Sequence, residues 1–72
     1  MKIGNYLKVW RAKNDLTQQQ LADAVNLSRQ TINSIEKGRF VPSILTALTI
    51  AKYFDSNVEE FFYLVDNNGD SQ

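Results

Sequence analysis

Two helix-start patterns lie so close together in this chain that they constrain its fold more than any other feature. "LTQQQL" begins with an apolar residue, then places Thr17 as a helix cap and Gln20 three residues later, as in a capping box. "LSRQTI" repeats the pattern with Ser28 as the cap, and both segments hold the apolar pair of a hydrophobic staple. The first helix of the pair must therefore end near Val25, which leaves a turn of only three or four residues.

That turn and the end of the next helix carry residues suited to left-handed backbone. Asn26 tolerates a positive φ better than most residues, and Gly38 ends the helix that starts after Ser28. A helix, a tight turn and a second helix within about twenty residues form a helix-turn-helix unit.

Further cap signals predict helices on both sides of this unit. Asn5 is expected to cap a first helix that runs to about Lys13. Ser43 is expected to cap a fourth helix, from Ile44 to about Phe54.

A short fifth helix is predicted near the end of the chain. Asn57 is its expected cap, with Glu60 three residues later, and its apolar residues are Val58, Phe61 and Phe62. The predicted class is therefore all-α, a compact five-helix domain over residues 1–66 with a flexible tail at 67–72. The apolar pieces "MKI" and "YLV" offer a short terminal β-pairing in addition.

Composition argues against catalysis. The chain of 72 residues has no cysteine and no histidine, which removes the commonest nucleophilic, basic and metal-binding side chains. Its three glycines are far apart, so no glycine-rich phosphate loop exists. We expect no enzyme activity, no cofactor, no metal and no small-molecule ligand. A chain without cysteine or a membrane-spanning apolar run fits the cytoplasm and no membrane partner.

The charges are divided unevenly between the two halves. Residues 1–40 hold seven Lys or Arg and three Asp or Glu, a net charge of +4. Residues 41–72 hold one Lys and five Asp or Glu, a net charge of −4. The basic half is suited to face a polyanion, whereas chance scatter of solvated charges is the alternative.

The third helix separates into an apolar and a polar face. Ile32 and Ile35 point inward, and no acidic residue precedes Glu36. The opposite face holds Arg29, Gln30, Asn33 and Ser34. Arginine suits the acceptors of guanine, and glutamine or asparagine suits adenine, in the major groove. The alternative is an ordinary polar helix face.

Two long segments of the chain resemble a known family. The segments "LTQQQLADAVNLSRQTINSIEKGRFVPS" and "ALTIAKYFDSNVEEFF" are similar to the Cro/cI-type helix-turn-helix family over roughly residues 5–62. The resemblance implies a lambda-repressor-like fold and a sequence-specific repressor of transcription. It also implies a homodimer on a palindromic double-stranded DNA operator, with helix three in the major groove. The chain departs from the family at Asn26 and Asp55, where glycine is usual, and at Leu45, where a polar residue is usual.

The resemblance also implies roles for individual residues. Those that would reach base edges are Arg29, Gln30, Asn33 and Ser34. Those that would contact phosphates are Gln18, Ser28, Lys37, Arg39 and the backbone amides near Phe40.

Two structural roles follow from the spacing of charged and apolar residues. Arg11 and Glu36 both border the core, where an unpaired charge is costly, so we expect an ion pair between helices one and three. The last third of the chain also has more apolar residues than one short helix can hide. A dimer interface within about residues 57–66 is therefore predicted, and with Leu45 its members are Phe61, Phe62 and Leu64.

A second function from another class stays open on the sequence. The same fold could serve as a protein-interaction module, in an antitoxin or an adaptor. Such a module would be expected to show an apolar or acidic face on helix three, and this chain shows neither.

Overall fold

The structure, a computed structural model, describes residues 1–66. The predicted flexible tail at residues 67–72 lies outside the described residues. Four α-helices and one two-stranded antiparallel sheet make up the described part of the chain. In chain order the elements are β1 (Lys2–Asn5), α1 (Leu7–Lys13), α2 (Gln18–Ala24), α3 (Arg29–Glu36), α4 (Ile44–Tyr53), a 3-10 turn (Val58–Glu60) and β2 (Phe62–Val65).

The prediction of a fifth helix is wrong. The segment after Asn57 makes a single 3-10 turn, and the chain becomes extended at Phe62. The reason is a non-local backbone pairing. The Phe61 carbonyl accepts the Tyr6 amide at 2.8 Å, and β2 pairs with β1 from Asn5↔Phe62 to Lys2↔Val65. The terminal β-pairing that "MKI" and "YLV" suggested is thus present, and it takes residues that would have continued the helix.

The side-chain caps at the starts of three helices are confirmed. Thr17 and Gln20 form the full capping box: the Thr17 hydroxyl accepts the Gln20 amide at 3.0 Å, and the Gln20 side chain accepts the Thr17 amide at 2.9 Å. Ser28 and Ser43 each accept the amide three residues later, at 3.0 and 3.1 Å. Helix α1 begins two residues after Asn5, whose side chain accepts the Leu7 amide at 3.1 Å. These caps satisfy amides that have no partner within their own helix.

All four helices end in the same way. The second residue after each helix has a positive φ, and the amide of the residue that follows it donates to the carbonyl five residues earlier, as in a Schellman motif. The positive-φ residues are Asp15 (55°), Asn26 (61°), Gly38 (74°) and Asp55 (56°). Asn26 and Asp55 therefore adopt the left-handed backbone that the usual glycine would supply. The turn of the helix-turn-helix keeps its geometry without a glycine.

Gly38 is the one glycine among these positions, and it allows a direct test of backbone strain. A Cβ added to it would meet no atom within 4 Å, so Gly38→Ala changes only the cost of the positive φ. We expect Gly38→Ala to lower the free energy of unfolding by about 1 kcal/mol, measured by urea denaturation. The control is Asp55→Gly, which removes the cost of a positive φ at Asp55 and should not lower the free energy of unfolding. An unchanged midpoint for Gly38→Ala would contradict this account.

The core lies between the helix-turn-helix and the C-terminal segment. Its members are Leu7, Leu21, Ala22, Val25, Ile32, Ile35, Ile50, Ala51 and Phe61. Trp10 and Phe54 cover one side, with ring centroids 4.4 and 5.4 Å from that of Phe61. The Trp10 indole N–H donates to the Glu60 carbonyl at 3.0 Å, which holds the 3-10 turn against α1.

The prediction that Phe61 belongs to a dimer interface is wrong. Its side chain is 0% exposed within the single chain, so it has no surface to offer a partner. Phe62, the next residue, is only half-buried, since the change to strand turns successive side chains to opposite faces. Leu64 on the same strand is exposed.

Candidate DNA-binding surface

The N-terminal half of α3 presents an open polar surface. Arg29 and Gln30 are exposed in the first turn after the Ser28 cap, and Asn33 lies one turn later, half-buried. These three side chains line a shallow depression of about 290 Å³. They point away from Ile32 and Ile35 because the apolar side of α3 is held in the core. The structure thus brings three of the four predicted base-reading residues together.

A second depression connects α3 with the loop that follows it. It has a volume of about 350 Å³. Its lining residues are Gln30, Thr31, Ser34, Arg39 and Phe40. The Arg39 amide donates to the Ser34 carbonyl at 2.9 Å, so the Gly38 turn brings the loop back beside the helix. Predicted base-reading and phosphate-binding residues therefore lie next to each other here.

Gln18, at the start of α2, joins this surface through hydrogen bonds. Its side-chain oxygen lies 3.5 Å from the side-chain amide nitrogen of Asn33. Its side-chain amide nitrogen donates to the Glu36 carboxylate at 3.1 Å. These contacts hold the Gln18 side chain against α3. This arrangement fixes the position of a predicted phosphate contact relative to a predicted base contact.

The support for Gln18 comes from a largely buried ion pair. Arg11 reaches Glu36 with two parallel hydrogen bonds, Nε to Oε2 at 2.7 Å and Nη2 to Oε1 at 3.1 Å. The two side chains are 16% and 6% exposed. The hydrogen bond to Glu36 raises the pKa of Arg11 above its usual value, so the guanidinium stays charged. Arg11 also donates a hydrogen bond from Nη1 to the Leu16 carbonyl at 2.9 Å, which fixes the loop before α2 against α1.

Ser28 and Lys37, also predicted to contact phosphate, lie at the two ends of α3. The Ser28 hydroxyl is exposed but already accepts the Thr31 amide and lies 2.8 Å from the Thr31 hydroxyl. Lys37 is exposed at the C-terminal end of the helix. The two side chains therefore flank the polar face and do not form part of the two depressions.

One contribution to the surface and one to its support were missed from the sequence. Thr31 lines the second depression, and its helical spacing of three from Ser34 could have indicated this. Asn5 donates from its side chain to the Ile35 carbonyl at 2.8 Å, which anchors β1 to α3 across 30 positions of sequence. No local signal reveals that contact, since the partner is a backbone atom far along the chain.

A short turn between two capped helices, with long polar side chains exposed on the second, defines a helix-turn-helix DNA-binding domain. A family model described as helix-turn-helix matches residues 7–61. The chain belongs to the Cro/C1-type helix-turn-helix family of DNA-binding transcriptional regulators.

Individual relatives agree with this membership. An HTH-type transcriptional regulator of Methanocaldococcus jannaschii, MJ0272, is 46% identical over 63 residues, which cover 88% of this chain and 96% of the relative. The immunity repressor protein of Bacillus phage phi105 is 41% identical over 51 residues, covering 71% of this chain and 35% of that protein. The crystal structure of the restriction-modification controller protein C.AhdI from Aeromonas hydrophila superposes with a TM-score of 0.70 and 28% identity, covering 75% of this chain and 82% of that one.

Within residues 1–66, every helix is too short or too polar to span a bilayer.

Proposed function

We propose that the protein is a sequence-specific repressor that binds a palindromic operator as a homodimer, with α3 in the major groove. The observation that carries this proposal is the cluster of Arg29, Gln30 and Asn33 on the exposed N-terminal half of α3. In a recognition helix, that half enters the groove. The phage phi105 relative, which is named an immunity repressor, supports repression as the outcome.

The proposed roles follow the position of each side chain. Arg29 and Gln30 are exposed in the first turn of α3 and read bases, with Asn33 and Ser34 behind them. The phosphate contacts flank this row on both sides, and they are Gln18, Ser28, Lys37, Arg39 and the backbone amide of Phe40. Flanking contacts fix the register of the helix on the duplex, whereas the central ones read its sequence.

A dimer follows from the size of the reading surface. One recognition helix spans only a few base pairs, and two-fold pairing sets two such helices about 34 Å apart, one turn of DNA. Two of the predicted interface residues remain available for this, because Leu45 on α4 and Leu64 on β2 are 73% and 66% exposed. Because they lie on different elements, they mark two separate candidate surfaces.

Selection of bound sequences from a random duplex pool tests the proposal. We expect enrichment of an inverted repeat, and we expect the affinity of both selected and random duplex to fall with rising salt concentration. Absence of salt-dependent duplex binding would reject DNA binding. It would also favour the use of this fold as a protein-interaction module.

Two arginine variants separate base reading from phosphate contact. Arg29→Ala is expected to cost about 1–3 kcal/mol on the selected site and to relax the preference at one position of each half-site. Arg39→Ala is expected to weaken selected and random duplex alike and to reduce the salt slope by about 1 for each phosphate that the arginine neutralises. Fluorescence anisotropy at two salt concentrations measures both. If the two variants reduced affinity equally on both kinds of duplex, the assigned roles would be wrong.

A further inference from the structure

We propose that the side chain of Phe40, together with the methyl group of Thr31, recognises the methyl group of a thymine in each half-site. The inference rests on the DNA binding of the proposed function and deepens it, because it adds an apolar contact to the polar ones. The thymine belongs to the base pair that Gln30 contacts or to a pair directly beside it. The backbone amide of Phe40 keeps its proposed phosphate contact.

The first support is an aromatic side chain exposed on a polar surface. Phe40 is 48% exposed, so it is not part of the core. It lines the second depression together with Gln30, Thr31 and Ser34 of α3. Because α3 enters the major groove in the proposed complex, Phe40 enters the groove beside Gln30.

The second support is the orientation of Thr31, which also lines the depression. Its hydroxyl lies 2.8 Å from the Ser28 hydroxyl, at the start of the helix. The Cβ atom of threonine carries its hydroxyl and its methyl group in different directions, so the methyl group points away from Ser28. The part of Thr31 that remains for a contact with another molecule is therefore apolar.

The third support is that the polar groups of the depression are available. The side chains of Gln30 and Ser34 make no hydrogen bond to another residue of the described part of the chain. Glutamine pairs with N6 and N7 of adenine, and the thymine opposite that adenine presents its methyl group in the same groove. A free amide beside an apolar surface thus matches an A·T pair better than a G·C pair, which has no methyl group there.

The chemistry of the major groove indicates what Phe40 contacts. Among the groups of the base edges, the thymine methyl is the apolar one. Packing Phe40 against polar base atoms would remove their water without replacing its hydrogen bonds, which costs free energy. Packing against a methyl group is favourable, because it takes apolar surface out of water on both sides. The sugars of the DNA backbone are also apolar, and the experiment separates them, since they are present at every nucleotide.

Deoxyuridine in place of thymidine tests the assignment, because it lacks the methyl group and keeps every hydrogen-bonding group of the base. The probe is the duplex selected from the random pool, with one thymine position replaced at a time in both half-sites. Gln30→Ala locates the base pair that Gln30 contacts, as the position where the preference relaxes. At that pair or directly beside it, we expect binding to weaken by roughly fourfold for each half-site, the effect of one buried methyl group. Fluorescence anisotropy measures the affinities.

Three variants connect this effect to the two side chains. Phe40→Ala is expected to bind the thymine and deoxyuridine duplexes equally, and both more weakly than the unaltered chain binds the thymine duplex. Thr31→Ser removes the methyl group and keeps the hydroxyl beside Ser28, so it should reduce the preference for thymine. Val41→Ala is the matched control, because Val41 is 62% exposed next to Phe40 and does not line the depression. It should prefer thymine as the unaltered chain does. Far-ultraviolet circular dichroism confirms that each variant stays folded.

Three results would overturn the inference. The first is a selected half-site without thymine at or beside the base pair that Gln30 contacts. The second is equal binding of thymine and deoxyuridine duplexes at each of those positions. The third is a Phe40→Ala variant that binds both duplexes more weakly and still prefers thymine, which would assign Phe40 to the sugar-phosphate backbone. Each is observed on a duplex that the protein binds, so the proposed function would still hold. Absence of salt-dependent duplex binding would instead reject the proposed function and this inference together.

Discussion

Replacing Glu36 with alanine is expected to lower the free energy of unfolding by about 3–5 kcal/mol, the range found when one partner of a buried ion pair is removed. Glu36 accepts three hydrogen bonds, two from Arg11 and one from Gln18, and its side chain is 6% exposed. Removing it leaves the Arg11 guanidinium without its anion in a site where water has little access. Urea denaturation followed by circular dichroism measures the loss of stability.

A matched control and a double-mutant cycle make this expectation specific. Asp23 is an exposed acid on α2 that accepts a surface hydrogen bond from Gln19, so Asp23→Ala should change stability by less than about 0.5 kcal/mol. Arg11→Ala is expected to cost several kcal/mol as well, and Arg11→Ala with Glu36→Ala less than the sum of the two. Strict additivity would show that the pair contributes no interaction energy.

The Glu36 variant should also affect DNA binding if Gln18 and Asn33 act as proposed. Without Glu36, the side-chain amide of Gln18 loses the carboxylate oxygen that accepts its hydrogen bond at 3.1 Å. The Gln18 side chain is then no longer oriented toward Asn33. Under conditions where the variant stays folded, we expect weaker binding to the selected site. Asp23→Ala, which leaves Gln18 in place, should bind as the unaltered chain does.

Phe61→Ala is expected to destabilise the protein by about 3–5 kcal/mol, the range for truncating a buried phenylalanine. Phe61 is fully buried, and its ring packs 4.4 Å from Trp10 and 5.4 Å from Phe54 between centroids. Truncation leaves a cavity that these large rings cannot close. The destabilisation should be the same at low and at high protein concentration.

A comparison across concentrations distinguishes a core residue from an interface residue. If Phe61 acted mainly at an interface, the variant would be nearly as stable as the unaltered chain when both are monomeric. Leu64→Ala serves as the control, because Leu64 is exposed on β2 and its truncation should cost less than about 0.5 kcal/mol. A small effect of Phe61→Ala on the monomer would contradict the position that the structure gives it.

The helix-turn-helix was predictable from the sequence because its signals act over short distances. The caps at Thr17, Ser28 and Ser43 bond to amides three residues later, and Gly38 ends α3 through bonds that span at most five residues. Such contacts join residues that are close in the sequence, so a local pattern is enough to predict them. The polar face of α3 follows in the same way, since helical spacing alone places Arg29 and Gln30 opposite the core.

The sequence by itself therefore determined the starts of α2, α3 and α4, the turn at Asn26 and the composition of the polar face of α3. Only the tertiary structure decided the path of the chain after Asn57. The strand β1 lies at the other end of the chain, and residues 62–65 pair with its backbone in place of continuing as a fifth helix. The same long-range packing decided that Phe61 is buried while Leu64 is exposed. Their apolar character is alike, and only their neighbours in space differ. Tertiary structure likewise decided that Glu36 accepts a hydrogen bond from Gln18 in addition to those from Arg11, and that Ile44, Leu45 and Leu48 of α4 stay exposed. Each of these depends on elements that meet only when the chain has folded.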